Sequence, residues 1–568
     1  MRKRFLYTAL IFSVGIFQTF AQDKGLGTEE VNVVKQYSPT VQDAEKIKET
    51  PVLTDSVTTT KKEINYTIFS VPVASTFTPA KGKASVVQKA EKEKLYNSYA
   101  SVGIGNFNTG TLDFYTSRAL NRDETLDVNL NHHSSQGGID RVTLDDKFFN
   151  TKLGAAYNKK DRYLSWGANA GFQHQIYNWY GIDETLFTPD EINTIEERQR
   201  YMTFEAGADV EVPEFFFKGG DFLYRNFTDR YGSVEHRLQL KPSFEVPISS
   251  ELISLDVSID YLNGSFERSY TSEEGISFST LIAGLSPGLV ILRDNVTVNM
   301  GATFVYGLDA ENSDSNFFIY PNITASVRLV DEYLTLYGGI QGALEQNSFH
   351  GFASENPFVS PTLSILPTDK KYDAYAGVKG KFSSSISYNL KGSYITQNDR
   401  PLFVANALDG LNNTEGYAFG NSFGIVYDDL RTISVFGEIN VDVNRNFTLG
   451  VNAEVLDYNT DDQAEAWNLP NLKGSLFTDF KVGKHWFGGA NVYFMGERED
   501  VDATSGLPNT VTLKSFFDAN ANVGYRFTDQ LSAFMKLNNI ANNEYARWAN
   551  YQVQGLQILL GASYKFDF

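Results

Sequence analysis

The sequence contains no cysteine among its 568 residues. Disulfides, thiolate metal sites, cysteine nucleophiles and a lipid-modified N-terminal cysteine are therefore excluded. Positive charge is also scarce: 49 Lys+Arg against 69 Asp+Glu leave a formal net charge of −20. Nucleic acid is not an expected partner, because phosphate binding needs a basic footprint. Beyond residue 21 no stretch reaches the roughly 18 consecutive apolar residues of a membrane-spanning helix. At 42% hydrophobic residues the chain is too apolar to be wholly disordered. What it has in excess is aromatic, 43 Phe and 31 Tyr. That excess is the first sign of a β-rich membrane protein.

The N-terminus reads as an address. Arg2, Lys3 and Arg4 precede an apolar run from Phe5 to Phe17, and Thr19 and Ala21 suit a cleavage site before Gln22. Residues 1–21 are expected to be a secretory signal peptide. Its removal takes the net charge from −20 to −23, since the segment carries three basic residues and no acid. Residues 22–94 hold 11 Lys and 10 Asp/Glu, four aromatics, and no sustained helical or strand periodicity. They are expected to form an extended periplasmic or lumenal segment. Two sticky patches, 31–39 and 64–73, interrupt it.

From Leu95 the pattern changes to alternation with period two. Val296, Val298, Met300, Ala302 and Phe304 share one face, and Thr297, Asn299, Gly301 and Thr303 the other. Phe517, Ala519, Ala521, Val523, Tyr525 and Phe527 alternate likewise with Asp518, Asn520, Asn522, Gly524 and Arg526. Tight turns recur at 120–124, 158–162, 292–295, 330–332, 444–446, 482–485 and 528–530. Longer polar stretches lie between them at 135–147, 179–197, 263–275, 308–316, 345–370, 397–430, 458–470 and 497–511. Short turns alternating with long loops are the rule of outer-membrane barrels. The expected fold is all-β: residues 95–568 form a single large antiparallel transmembrane β-barrel of about 22 strands, within 20–24. Strand parity requires an outgoing strand within the poorly patterned stretch 212–231.

The last segment is the sharpest local signal. Leu556, Ile558, Leu560, Ala562, Tyr564, Phe566 and Phe568 form an apolar face, with Leu559 a misfit on the other. Tyr564, Phe566 and Phe568 resemble the C-terminal signal read by the barrel assembly machinery. The final 32 residues resemble the end of TonB-dependent receptors of the outer membrane. Asn539, Ile540, Ala541 and Asn542 with Tyr545 match one terminal motif of that family, Gly555 keeps part of a loop-tip motif, and Phe568 matches its end. The resemblance is to a Bacteroidota-type receptor barrel that lacks the plug domain, since residues 22–94 are too few and show no plug-like pattern. It implies an outer-membrane location in a Gram-negative envelope, lipid as the immediate partner, and transport. Glu29, Glu30, Val31, Asn32, Val33 and Val34 resemble a TonB box, which would pair with TonB by adding a strand.

No catalytic, cofactor or metal constellation emerges. His132 and His133 are adjacent in a strand, so they face opposite ways and do not share a metal. Loop carboxylates cluster at Asp309, Glu311 and Asp314, at Asp457, Asp461, Asp462 and Glu465, and at Glu497, Glu499, Asp500 and Asp502. None has EF-hand spacing. The aromatics Phe403, Tyr417, Phe419 and Phe423 either pack their own loop or offer stacking faces to a sugar. The chain is not expected to be an enzyme or to carry a cofactor. Two functions remain: solute transport across the outer membrane, or a structural subunit of an outer-membrane complex whose segment 22–94 docks a periplasmic partner.

Overall fold

The computed structural model describes residues 94–248, 251–409, 413–502 and 509–568. The expected signal peptide, the segment 22–93 and the TonB-box-like residues 29–34 lie outside the described residues. Twenty-two strands form one antiparallel sheet that closes on itself. The first strand, Ser98–Gly105, pairs with the last, Gln557–Phe566, from Ser98 opposite Phe566 to Gly105 opposite Leu559. Closure is anchored below the seam by Lys94, whose Nζ lies 3.0 Å from the Asp567 carboxylate. At the top of the seam Asn106 donates to Leu556 O (2.7 Å) and accepts from Ile558 N (2.8 Å).

The alternation separates lipid from lumen. In strand Glu251–Phe266, Ile253, Leu255, Val257, Ile259 and Tyr261 share the outward face. Ser254, Asp256, Ser258 and Asp260 share the inward one. The outward face is bare in the isolated chain, as a lipid-facing surface is: Tyr261 is 40% exposed, and Leu262, next in sequence but inward, is 0%. The expected faces of Val296–Asp309 and Phe516–Arg526 follow the same division, with Met300 and Phe517 outward.

Every expected tight turn falls at one end of the barrel, and no connection at that end exceeds five residues. The outgoing strand required within 212–231 is Phe217–Thr228. The opposite end corrects the sequence reading in two places. Residues 397–430 are not all loop: strands Ile386–Ala405 and Phe423–Asn444 extend into the stretch, leaving 406–422 between them. A bulge between Gln397 and Arg400 breaks the alternation there, which hides the strand. The outer connections 106–109, 229–233 and 310–313 are also short, so length alone does not mark that side. At 310–313 the Asp309 side chain accepts from Glu311 N and Asn312 N and so closes the turn.

Leu559, the misfit, lies inward and is 6% exposed. It packs over Gly103. Several inward glycines are covered in this way by rings from the next strand, which shields backbone that a bare glycine leaves open. A Cβ at Gly561 would overlap the Phe534 ring and press on the Val102 carbonyl at 2.5 Å. By contrast, the nearest atom to a Cβ at Gly392 is Ser434 O at 4.0 Å. Gly561→Ala is therefore expected to destabilise the barrel by about 1–3 kcal/mol through overpacking, whereas Gly392→Ala leaves it unchanged. The urea midpoint of the detergent-solubilised protein checks both.

Candidate functional site

The lumen wall carries charge in register. Glu205, Arg225 and Arg237 stand opposite one another on three successive strands. Arg225 Nε donates to Glu205 at 2.6 Å. Arg237 makes a two-pronged contact with Asp260 at 2.9 and 2.6 Å, and Gln239 donates to the same carboxylate at 2.7 Å. Such a face suits water and polar solutes.

Toward the outer end the inward face turns apolar. In Glu251–Phe266 the polar series ending at Asp260 gives way to Leu262 and Phe266, both buried. Tyr201, Phe227 and Phe278 do the same on neighbouring strands. What covers them is loop. The helix Phe349–Glu355, carried by loop 346–367, sets Phe349 5.1 Å from the Phe227 ring and 5.0 Å from Phe266. The Ser348 side chain caps its start by accepting from Gly351 N. The buried Glu235 carboxylate accepts from Phe349 N (2.5 Å) and His350 N (3.3 Å), tying the helix to the wall.

The loops also hold one another. Trp179 Nε1 donates to Phe358 O at 3.1 Å, and Tyr201 OH to Pro357 O at 3.0 Å. Asn421 Nδ2 donates to Trp179 O at 2.8 Å, and Tyr551 OH donates to Asn421 O. Tyr180 OH reaches Gln552 O at 2.9 Å, while the Phe358 and Tyr551 rings stack at 3.7 Å. The loops bearing Trp179 and Phe358 arise eight strands apart around the sheet. Twenty-two strands at ~4.8 Å spacing and ~40° tilt enclose a wall roughly 40 Å across. Bonds between loops so far apart on the rim run over the opening. The loops therefore form a common aromatic cap above a polar lumen.

Burial sets the charge states of polar groups within this cap. Burial pushes the Asp500 carboxyl up to about 6, against the opposing Asn468 side chain and the N–H groups of Val501 and Ala405. Burial likewise pushes Asp229 up to about 6, opposed by Ser233, Gln199 and Tyr231. His350 is pushed down to about 4, by burial first and by Arg225 next. Burial thus shifts all three toward their neutral forms.

The aromatics Phe403, Tyr417 and Phe423 are buried in the cap, and Phe419 packs on Phe187. They pack into the shared core of the cap, against rings from other segments. The acidic clusters dissolve into separate structural roles. Asp461 pairs with Arg431 at 2.8 Å, Asp309 closes its turn, and Asp500 is buried. Among the described residues no group of three acidic or histidine side chains is placed to hold a metal. His132 bonds Thr151 on one face, and His133 packs edge-on to Phe148 on the other. Tyr564 and Phe566 stack at 5.9 Å, and Phe568 follows at 5.0 Å, at the turn-bearing end. The terminal motif builds a loop: Asn539, at φ 48, donates to Asn543 O and Gln554 O, and Tyr545 OH donates to Asp518. Sequence reasoning missed Trp179, Asn421, Tyr551 and Asp428. Asp428 accepts from the backbone of Asp461, Asp462 and Gln463 and so folds a loop more than 30 residues away.

No family model matches the sequence, and no curated protein matches it. Solved structures do. The ferric-catecholate import receptor Fiu from E. coli K12 aligns with a TM-score of 0.61 at 9% identity, over 83% of this chain and 82% of that one. The ferripyoverdine receptor of Pseudomonas aeruginosa aligns at 0.62 and 11% identity, over 83% and 72%. A mutant of the ferric enterobactin receptor PfeA from the same organism aligns at 0.62 and 11%, over 84% and 82%. The chain thus has the 22-stranded barrel fold of TonB-dependent receptors, an outer-membrane barrel architecture, and among the described residues it has no plug domain.

Two predictions follow from the cap. Trp179 is 0% exposed and packs 5.5 Å from both Tyr231 and Tyr417. Trp179→Ala is expected to cost the cap about 3–5 kcal/mol without unfolding the barrel. Faster hydrogen exchange in loops 179–197 and 346–367, with strand amides unchanged, is the check. The second concerns pH. Asp500 keeps its proton up to about 6, above its ordinary value of 3.8, so its contribution is present at low pH and is lost as pH rises between those values. Asp500→Asn is therefore expected to match the wild-type cap at about pH 4 and to exceed its protection above about pH 6. The pH series of exchange rates in both proteins measures the difference.

Proposed function

We propose that this barrel is a gated passage for a polar solute across the outer membrane, closed on the outside by its own loops. The observation that carries the reading is the change along single strands from a charged lumen face to a dry aromatic mouth. A passage needs the first, and a gate needs the second. Residues 1–21 are the leader, and residues 22–94 enter the lumen from the periplasmic side or engage a periplasmic protein. Glu29, Glu30, Val31, Asn32, Val33 and Val34 supply the strand by which TonB or a similar partner takes hold. Tyr564, Phe566 and Phe568 serve barrel assembly.

A second reading has one observation in its favour. The cap is a closed aromatic core rather than an open vestibule, which suits a barrel that anchors a larger outer-membrane assembly. Planar-bilayer conductance separates the two. The protein without residues 1–21 is compared with Trp179→Ala, each with and without residues 22–93. The passage reading expects the intact form to be closed and the Trp179→Ala form lacking 22–93 to conduct ions steadily. Silence from all four forms would overturn it and leave the anchoring role.

A further inference from the structure

The outward face of the wall carries two bare cations close to the outer loops. In strands Ser165–Asn178 and Arg198–Glu211 the outward pairs are Trp166 with Val210, Ala168 with Ala208, Ala170 with Ala206, and Phe172 with Phe204. All of these are apolar. The pairs that follow are His174 with Met202, Ile176 with Arg200, and Asn178 with Arg198. Arg198 and Arg200 are exposed, whereas Gln199 and Tyr201 point the other way into the cap and are 0% and 1% exposed. The two guanidinium groups therefore stand outside the barrel.

Their height follows from strand geometry. Trp166, whose ring lies 5.2 Å from Tyr157, belongs to the aromatic girdle near the turn-bearing end. Ten residues separate it from Ile176, the partner of Arg200. At ~3.3 Å per residue and ~40° tilt these rise roughly 25 Å, the height of the apolar band. Arg200 thus stands at the outer headgroup level, with Arg198 about 5 Å above it. Nearby Arg230 is taken by Glu196, and Arg431, at the outer end of another strand, by Asp461. Among the described residues Arg198 and Arg200 have no ion pair, side-chain hydrogen bond or ring contact. Two residues apart on one face, their Cα atoms lie roughly 7 Å from each other. Like charges meet there with no anion between them.

We propose that Arg198 and Arg200 bind the phosphate headgroup of an anionic lipid in the outer leaflet, with its acyl chains against Phe172, Phe204 and Met202. A guanidinium presents paired donors that match phosphate oxygens, and a phosphate between the two cations relieves their repulsion. The apolar rows directly beneath are a surface that a dissolved anion cannot use: Phe172 and Phe204 are 45% and 44% exposed. Charge complementarity and position at the edge of the band together select a lipid. Binding does not depend on the barrel being a passage, so the test reads lipid occupancy and not flux.

The test titrates the purified full chain, in neutral detergent, with dioleoyl phosphatidate and counts retained lipid by native mass spectrometry. One phosphatidate per chain is expected to stay bound at concentrations where dioleoyl phosphatidylcholine, with the same chains, is lost. Inorganic phosphate at equal concentration is expected not to displace it. Arg198→Gln combined with Arg200→Gln is expected to weaken phosphatidate by about tenfold or more, the usual worth of a charged hydrogen bond. Arg118→Gln, which alters an exposed outward cation at the turn-bearing end, is expected to bind as the wild type does. All three positions are exposed, and the gel mobility of the unheated barrel checks that each variant folds. The proposal is overturned if the double variant retains phosphatidate as the wild type does, or if Arg118→Gln loses it equally. It is also overturned if phosphatidylcholine is retained as well as phosphatidate, since the lipid would then be held by its chains alone. Displacement by inorganic phosphate would overturn it too, because the cations would then serve a dissolved anion.

Discussion

A strand that crosses hydrocarbon cannot leave a backbone N–H or C=O without a partner, because no water is there to replace one. Every other feature of this chain depends on meeting that demand around a full circle. Closure requires the first strand, Ser98–Gly105, to find the last, more than 450 residues away in sequence. The junction is reinforced at both ends, by Lys94 and Asn97 meeting Asp567 at one and by Asn106 gripping the last strand at the other. An even number of strands then places the start and finish of the barrel at the same end, beside the short turns. Once the wall is closed, side chains have two solvents. The outward face must suit lipid, and the inward face is free to be polar.

The outer end answers to a different constraint. Above the membrane the strands still need partners on their inward face, yet a wide mouth offers only loops to supply them. The chain fills the mouth with rings, which bury much area for few torsions and pack edge to face as well as stacked. Their polar tips are used as fasteners: Trp179 and Tyr201 bond carbonyls of loop 346–367, Tyr180 bonds Gln552 O and Tyr551 bonds Asn421 O. Buried carboxylates do similar work from the wall, with Glu235 holding a helix start and Asp428 a whole loop.

Much of the wall was legible because its code is local. A period of two survives any long-range arrangement, so Val296–Asp309, Phe516–Arg526 and Gln557–Phe566 declare both their type and their faces. Parity even located Phe217–Thr228, whose own pattern is poor. Where a bulge adds a residue the code breaks, and Asn398, Asp399 and Arg400 read as loop although they lie within a strand. The acidic clusters had no metal-binding spacing in the sequence. In the structure Asp461 pairs with Arg431, Asp309 closes its own turn and Asp500 is buried, so the shared stretches of sequence serve separate roles.

The sequence by itself determined the class of the molecule, its membrane address, its strand number within narrow limits and which side chains meet lipid. It could do so because each of these follows from alternation, turn spacing and composition, which are written over a few residues at a time. Only the tertiary structure decided that the loops close over the mouth, and that Trp179, Phe358, Asn421 and Tyr551 belong to one core. Those residues come from loops spread around the rim, with no shared period and no fixed spacing. Their meeting is set by the circumference of the closed wall, and a circumference exists only after the first strand has found the last.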